Sequence, residues 1–240
     1  MHPISSSLLQ EFQTNKKGFA PYLDEETIQA IIHDMFGAGI STSSRTFHII
    51  LLILSSRTDV QQKIVQEIKK VYTSKDPTES ICIRDMEMMP YTRACILEAL
   101  RLSSVVPTVN HVALEDIDIQ GKKVPKGTVL VGNLWSLHHD VRYWEEPWKY
   151  KPEQFLDESG PLLSPDHVNR KRLLAFAAGP CMCIGKNFAL ARLFILTVSA
   201  LKEFEIKPVP GNEDVFDAMS LNYGLVLTAD HNPIVFKAIK

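Results

Sequence analysis

Phe176-Ala-Ala-Gly-Pro-Cys-Met-Cys-Ile-Gly185 is a glycine-punctuated loop with Cys183 two residues before its closing glycine, and a strongly helical run begins directly after it at Lys186. A sulfur held where a loop enters a helix meets unpaired backbone N–H groups and the positive end of the helix macrodipole. Both favour a thiolate, the metal-binding form of cysteine. Gly179 and Gly185 let backbone approach a large flat ligand closely. The residue types therefore suit a loop that presents one sulfur to a bulky metal-bearing group. The same stretch also reads as an ordinary strand–loop–helix turn with a structural cysteine.

Three further stretches carry chemistry. Ala38-Gly39-Ile40-Ser41-Thr42-Ser43 lies in the middle of a long helical pattern, where glycine and hydroxyl side chains weaken the helix locally. Glu98 and Arg101, at i and i+3, share a helix face and can pair. Their flanks, Ala94, Ile96, Leu97, Ala99, Leu100 and Leu102, are apolar on most sides, which predicts a buried pair that needs further hydrogen-bond partners. Tyr150-Lys-Pro152-Glu153-Gln154-Phe155 is a proline-started turn with a phenylalanine suited to burial.

The cysteine loop resembles the haem-binding signature of the cytochrome P450 haem-thiolate monooxygenases, Phe-x-x-Gly-x-Arg-x-Cys-x-Gly. Phe176, Gly179, Cys183 and Gly185 match in register, and Cys181 stands where that family has arginine. The stretch around Thr42 resembles the family's oxygen-side helix motif, with Ser41 in place of its acid. Glu98 and Arg101 match its Glu-x-x-Arg pair, and residues 150–155 match its aromatic-x-Pro-Glu-Arg-Phe segment, with Gln154 in place of arginine. The four motifs occur in the family's order, and ordered motifs are far stronger than any one alone.

The resemblance implies a mainly α fold with small antiparallel β-sheets, corresponding to the C-terminal half of the family fold. It implies residues 1–23 as a linker or surface segment and residues 24–240 as a partial haem domain. It implies haem b as cofactor, with Cys183 as the axial iron ligand and Phe176, Gly179, Gly185 and His111 in contact with the haem, His111 at a propionate. Thr42 would assist oxygen activation and Gly39 would make space for it. Glu98 and Arg101 would be structural, with Gln154 a weakened third member. The implied reaction inserts one oxygen atom of O2 into an apolar or steroid-like substrate, using electrons from NADPH through a reductase partner at the cytosolic face of the endoplasmic reticulum membrane. Within the family, residues 127–139 look most similar to animal microsomal, steroid 17-alpha-hydroxylase-like and xenobiotic-metabolising members. Two rival readings stay open: a non-catalytic truncated member that acts through protein contacts, and a zinc or dithiol protein using Cys181 and Cys183.

Composition fits this picture. A net charge of −2 gives no reason to expect a nucleic-acid partner. Cys82, Cys95, Cys181 and Cys183 show no disulfide-framework spacing, so a reducing compartment is expected. The longest aliphatic run, Ile49 to Leu54, is too short to cross a bilayer, and the expectation is that the chain carries no anchor of its own. Helical periodicity predicts helices over about 24–54, 59–73, 91–102, 133–139 and 186–202, the last with an apolar face of Phe188, Ala189, Leu193, Leu196 and Ala200. Alternation predicts strands over 112–119 and 128–131, and three more in the tail at 205–209, 225–228 and 234–237. Residues 145–182 hold five prolines and should be irregular, shaped by packing. Within them, Arg170-Lys171-Arg172 reads as a solvated basic run or a docking point for an acidic redox partner. The adjacent His138 and His139 have no metal-like spacing and are assigned no site.

Overall fold

The computed structural model describes residues 25–73, 80–213, 216–230 and 232–239. The segment expected to be a linker, residues 1–23, lies outside them. Two compact units divide the chain, residues 1–42 and residues 43–240. The helices are α1 (Glu25–Ser56), α2 (Thr58–Tyr72), α3 (Pro90–Ser103), α4 (Leu134–His138), α5 (Val168–Arg172) and α6 (Lys186–Glu203). The strands are β1 (Thr108–Val112), β2 (Ile117–Ile119), β3 (Lys122–Val124), β4 (Val129–Asn133), β5 (Phe204–Pro208) and β6 (Ile234–Ala238). They form three two-stranded antiparallel sheets, β1–β4, β2–β3 and β5–β6. The fold is mainly α with small antiparallel sheets.

The core of the second unit joins the last turns of α1 to α2, α3, α6 and β5. Ile49, Ile53, Ile64, Ile68, Ile96, Leu100, Phe194, Val198 and Ile206 are all buried there. α1 is long and apolar enough to span a bilayer by length and composition, yet its final turns are packed in this core. A smaller cluster of Ala94, Leu97, Trp144 and Phe155 sits on another side of α3.

α1 runs unbroken through the weak stretch from Gly37 to Ser44, where Thr42 Oγ1 donates to the Ala38 carbonyl at 2.7 Å. Several expectations are revised. The single strand expected over 112–119 is two, since Ala113 bonds instead to the turn at Gly127 and Thr128. The β2–β3 hairpin turns at Gln120 and Gly121, both at positive φ (53° and 81°), the geometry of a two-residue primed turn. The tail holds two strands, with residues 225–228 reduced to the single bridge Asn222–Thr228. α6 buries Ala191, Leu193, Phe194, Thr197, Val198 and Leu201. The face predicted for it was rotated, because α6 is apolar nearly all round and periodicity alone could not orient it.

Gln61 stitches three elements together. Its amide donates to the carbonyls of Leu54 (3.1 Å) and Ile206 (2.9 Å) and accepts from Ile206 N–H (2.8 Å), all buried. Gln61→Leu keeps the volume and strands those groups, at a cost of about 1–3 kcal/mol for an unpaired buried group. Urea unfolding should show a lower midpoint with an unchanged slope.

Candidate functional site

The cysteine loop is closed on itself. Cys183 N–H donates to the Phe176 carbonyl at 2.9 Å, Met182 N–H to Gly179 at 3.1 Å and Ala177 N–H to Leu174 at 2.8 Å. Gly179 makes the reversal possible at φ +74°, where a side chain is disfavoured. Lys186 N–H donates to the Cys183 carbonyl, so the sulfur precedes the first turn of the 18-residue α6 by a fixed step. Cys183 is exposed. Large apolar side chains around it are exposed as well: Met182 at 47%, Ile184 at 102% and Phe188 at 70%. Cys181 is an exposed free thiol.

This surface fits a haem. A sulfur flanked by uncovered apolar side chains suits one face of a flat apolar macrocycle. Among the described residues no three His, Cys, Asp or Glu side chains are grouped to hold a metal ion. A metal at Cys183 therefore needs a carrier that brings its own remaining ligands, as a porphyrin does.

α3 carries a buried ion pair. Glu98 and Arg101 are both 0% exposed. Arg101 Nε and Nη2 fork onto the two Glu98 oxygens, both at 2.8 Å. The other donors reach the carbonyls of His138 (2.7 Å), Pro147 (2.8 Å) and Lys149 (3.2 Å). A guanidinium has five N–H donors, and all are used. The carboxylate also accepts from Lys151 N–H at 2.9 Å and from Gln154 Nε2 at 2.5 Å. Gln154 thus keeps the third place through hydrogen bonding alone. Burial pushes the Glu98 carboxyl up, opposed by its bonds from Arg101. The guanidinium also lies over the buried Trp144 ring, 5.2 Å from its centre, a cation–π contact.

His138 was assigned no site from sequence. It is fully buried at the end of α4. Its Nε2 lies 3.0 Å from Leu174 N and its Nδ1 lies 2.7 Å from Ser104 Oγ. A backbone N–H can only donate, so Nε2 is the acceptor and Nδ1 carries the proton. Ser104 in turn donates to the Arg101 carbonyl at 2.9 Å. The available signal was a histidine closing a short, largely apolar helix, which must find partners once buried.

The remaining predicted residues lie on other elements. His111 is exposed on β1, opposite Leu130 of β4. Gly39 and Thr42 belong to the first unit, and open space surrounds the position a Gly39 side chain would take. The basic run is engaged locally: Arg170 bonds the Leu163 carbonyl, Lys171 pairs with Asp166 and Arg172 bonds the Tyr143 carbonyl.

Two outcomes follow from this centre. Glu98→Gln leaves the Arg101 charge buried without its counter-ion and should cost about 3–5 kcal/mol, read by urea unfolding. The His138 ring is pushed down to about 3 from 6.5, by desolvation first and then by the charges of Arg101 and His139. The fold refuses a proton that the unfolded chain accepts, so stability falls as pH drops from 6.5 towards 3. Between pH 7 and pH 5 this group contributes about 2 kcal/mol of that loss. His138→Gln should shrink the measured pH dependence by that amount.

The cytochrome P450 family profile matches residues 2–235. The chain is 36% identical to cytochrome P450 2U1 of Rattus norvegicus over 225 residues, covering 93% of this chain and 41% of that protein. It is 35% identical to cytochrome P450 2E1 of Oryctolagus cuniculus, covering 87% of this chain and 41% of the relative. It is 33% identical to cytochrome P450 2D6 of Homo sapiens, covering 89% and 42%. The chain thus spans about two fifths of the length of these relatives. A match over nearly all of this chain, carried by a closed cysteine loop and a buried Glu–Arg centre, makes it a member of the cytochrome P450 family.

Proposed function

We propose that this chain forms the haem-thiolate part of a monooxygenase, in which Cys183 would hold the iron of haem b. One observation carries the reading: an exposed Cys183 sulfur on a loop fixed by the Cys183–Phe176 backbone bond and bordered by exposed apolar side chains. When bound, the haem supplies oxygen activation and transfer of one oxygen atom to an apolar organic or steroid-like substrate, with electrons from NADPH through a reductase.

The chain's own residues hold and orient. Cys183 supplies the ligand sulfur, and Phe176 receives its N–H so that the sulfur keeps its aim. Gly179 sets the reversal, and Gly185 lies beside the sulfur, where a Cβ would sit 3.8 Å from Sγ in ordinary van der Waals contact. Met182, Ile184 and Phe188 exclude water from the macrocycle face. His111 is the proposed donor to a propionate, a place the family's arginine does not fill here because residue 181 is cysteine. Thr42 is the proposed hydroxyl that hands on protons, with Gly39 keeping that helix face open. Glu98, Arg101 and Gln154 brace the loop from behind. The implied cellular setting, the cytosolic face of the endoplasmic reticulum, follows from the microsomal resemblance.

The purified chain, given haem in excess, reduced and exposed to carbon monoxide, should show the red-shifted Soret band of a thiolate ligand. Cys183→Ser should abolish the shift. A band unchanged by that substitution, or no haem uptake, would sink the proposal in favour of a non-catalytic family member.

A further inference from the structure

We propose that His138 is a positioning residue for the cysteine loop, fixing through the Leu174 backbone where the segment that ends at Cys183 leaves the buried Glu98–Arg101 centre.

The loop is short of outside anchors. Among the described residues, the backbone bonds of residues 174–183 are internal, Ala177 to Leu174, Met182 to Gly179 and Cys183 to Phe176, with two exceptions. One is the Cys183 carbonyl, which accepts from Lys186 N–H at the start of the following helix; the other, and the one that reaches a distant part of the chain, is Leu174 N–H to His138 Nε2. Ala175 and Phe176 pack against the main core, but apolar packing is not directional and tolerates sliding. A hydrogen bond at 3.0 Å fixes both distance and direction. Leu174 is also where the internal bonding of the loop begins, so its position sets that of Phe176 and, through the Cys183–Phe176 bond, of the sulfur-bearing residue.

His138 is itself held at both ends. Its carbonyl accepts from Arg101 Nη1 and its Nδ1–H donates to Ser104 Oγ. Ser104 is the left-handed C-cap of α3, at φ 38°, and its hydroxyl donates back to the Arg101 carbonyl. One continuous path of hydrogen bonds therefore runs from the Glu98 carboxylate through Arg101 and His138 to the loop. The ring has one tautomer that satisfies every partner, and a ring protonated at both nitrogens would present a donor to a donor at Leu174. Neutral imidazole in this tautomer supplies both an acceptor and a donor at this site. A glutamine can keep part of that pattern, whereas phenylalanine keeps the volume and none of it.

Only the consequence for bound haem rests on the haem-thiolate reading; the anchoring itself does not. In the 240-residue chain, His138→Phe should speed hydrogen exchange at the Leu174 amide at least about tenfold, with α2 and α3 amides unchanged. In the haem-loaded protein it should speed loss of the thiolate-type Soret band, with partial rescue by His138→Gln. Unchanged exchange at Leu174 in a folded variant overturns the anchoring. A Soret band as long-lived as in the unsubstituted protein, despite faster exchange, overturns the positioning role. Should His138→Phe fail to fold, nitrogen NMR of the unsubstituted chain decides. A bare Nε2 coupled across the hydrogen bond to Leu174 supports the proposal, and a protonated Nε2 overturns it. Faster exchange at Leu174 in a chain that takes up no haem supports the anchoring and counts against the haem reading alone.

Discussion

The second unit depends on one buried fork, Arg101 on Glu98. Removing two charges from water costs several kcal/mol per ion, and their attraction offsets this only when every remaining donor and acceptor is also satisfied. Here that condition is met. Five donors on the guanidinium and both carboxylate oxygens are engaged, with no water needed. The fork is therefore less a source of net stability than a strict geometric demand. The chain folds with residues 138, 147, 149, 151 and 154 converging on one point, or it leaves charges unsatisfied in the core.

That demand explains how an irregular segment acquires a unique shape. Residues 139–167 hold no helix or strand of useful length, so no ladder dictates their path. Two of their own backbone carbonyls, at Pro147 and Lys149, are drawn to the same guanidinium as the carbonyl of His138 just before them. Trp144 and Phe155 then pack at a tilt, ring centres 5.9 Å apart, in the smaller core beside it. The cysteine loop inherits this order, because it follows the segment after only the short helix α5 and is tied back to α4.

The motifs and the burial of the Glu–Arg pair were legible in the sequence, since both rest on residue type and spacing. Helices α2, α3 and α6 were legible for the same reason. What the sequence concealed was of another kind. The carbonyls that complete the Arg101 shell are backbone groups, which every residue possesses, so nothing in residue identity marks positions 138, 147 and 149. The role of His138 was hidden because a histidine pair without metal spacing has no signature. The break between β1 and β2 was hidden because alternation persists across it, while a tertiary pairing of Ala113 with the Gly127 turn decides the outcome. The face of α6 was misread where apolar residues occur all round the helix, and only its neighbours select which ones are covered.

The substitution at 154 shows why a departure from a motif has to be weighed by the centre it joins. A second arginine beside Glu98 would bring the cluster to one carboxylate and two guanidiniums, a net positive charge in the interior. Glutamine leaves it neutral, and an amide N–H still reaches Glu98 Oε2 at 2.5 Å. The position is only partly buried, and its backbone carbonyl is taken by Asn169 Nδ2 at 2.9 Å, which secures the turn independently of the side-chain charge. Unbalanced charge is the expensive commodity in such a site, and the carboxylate's oxygens are already served by Arg101 and Lys151 N–H. The hydrogen-bonded geometry around Glu98 is therefore completed without a second buried positive charge. Cys181 differs in kind: it stands exposed on the loop itself and carries no charge where the family's motif has an arginine.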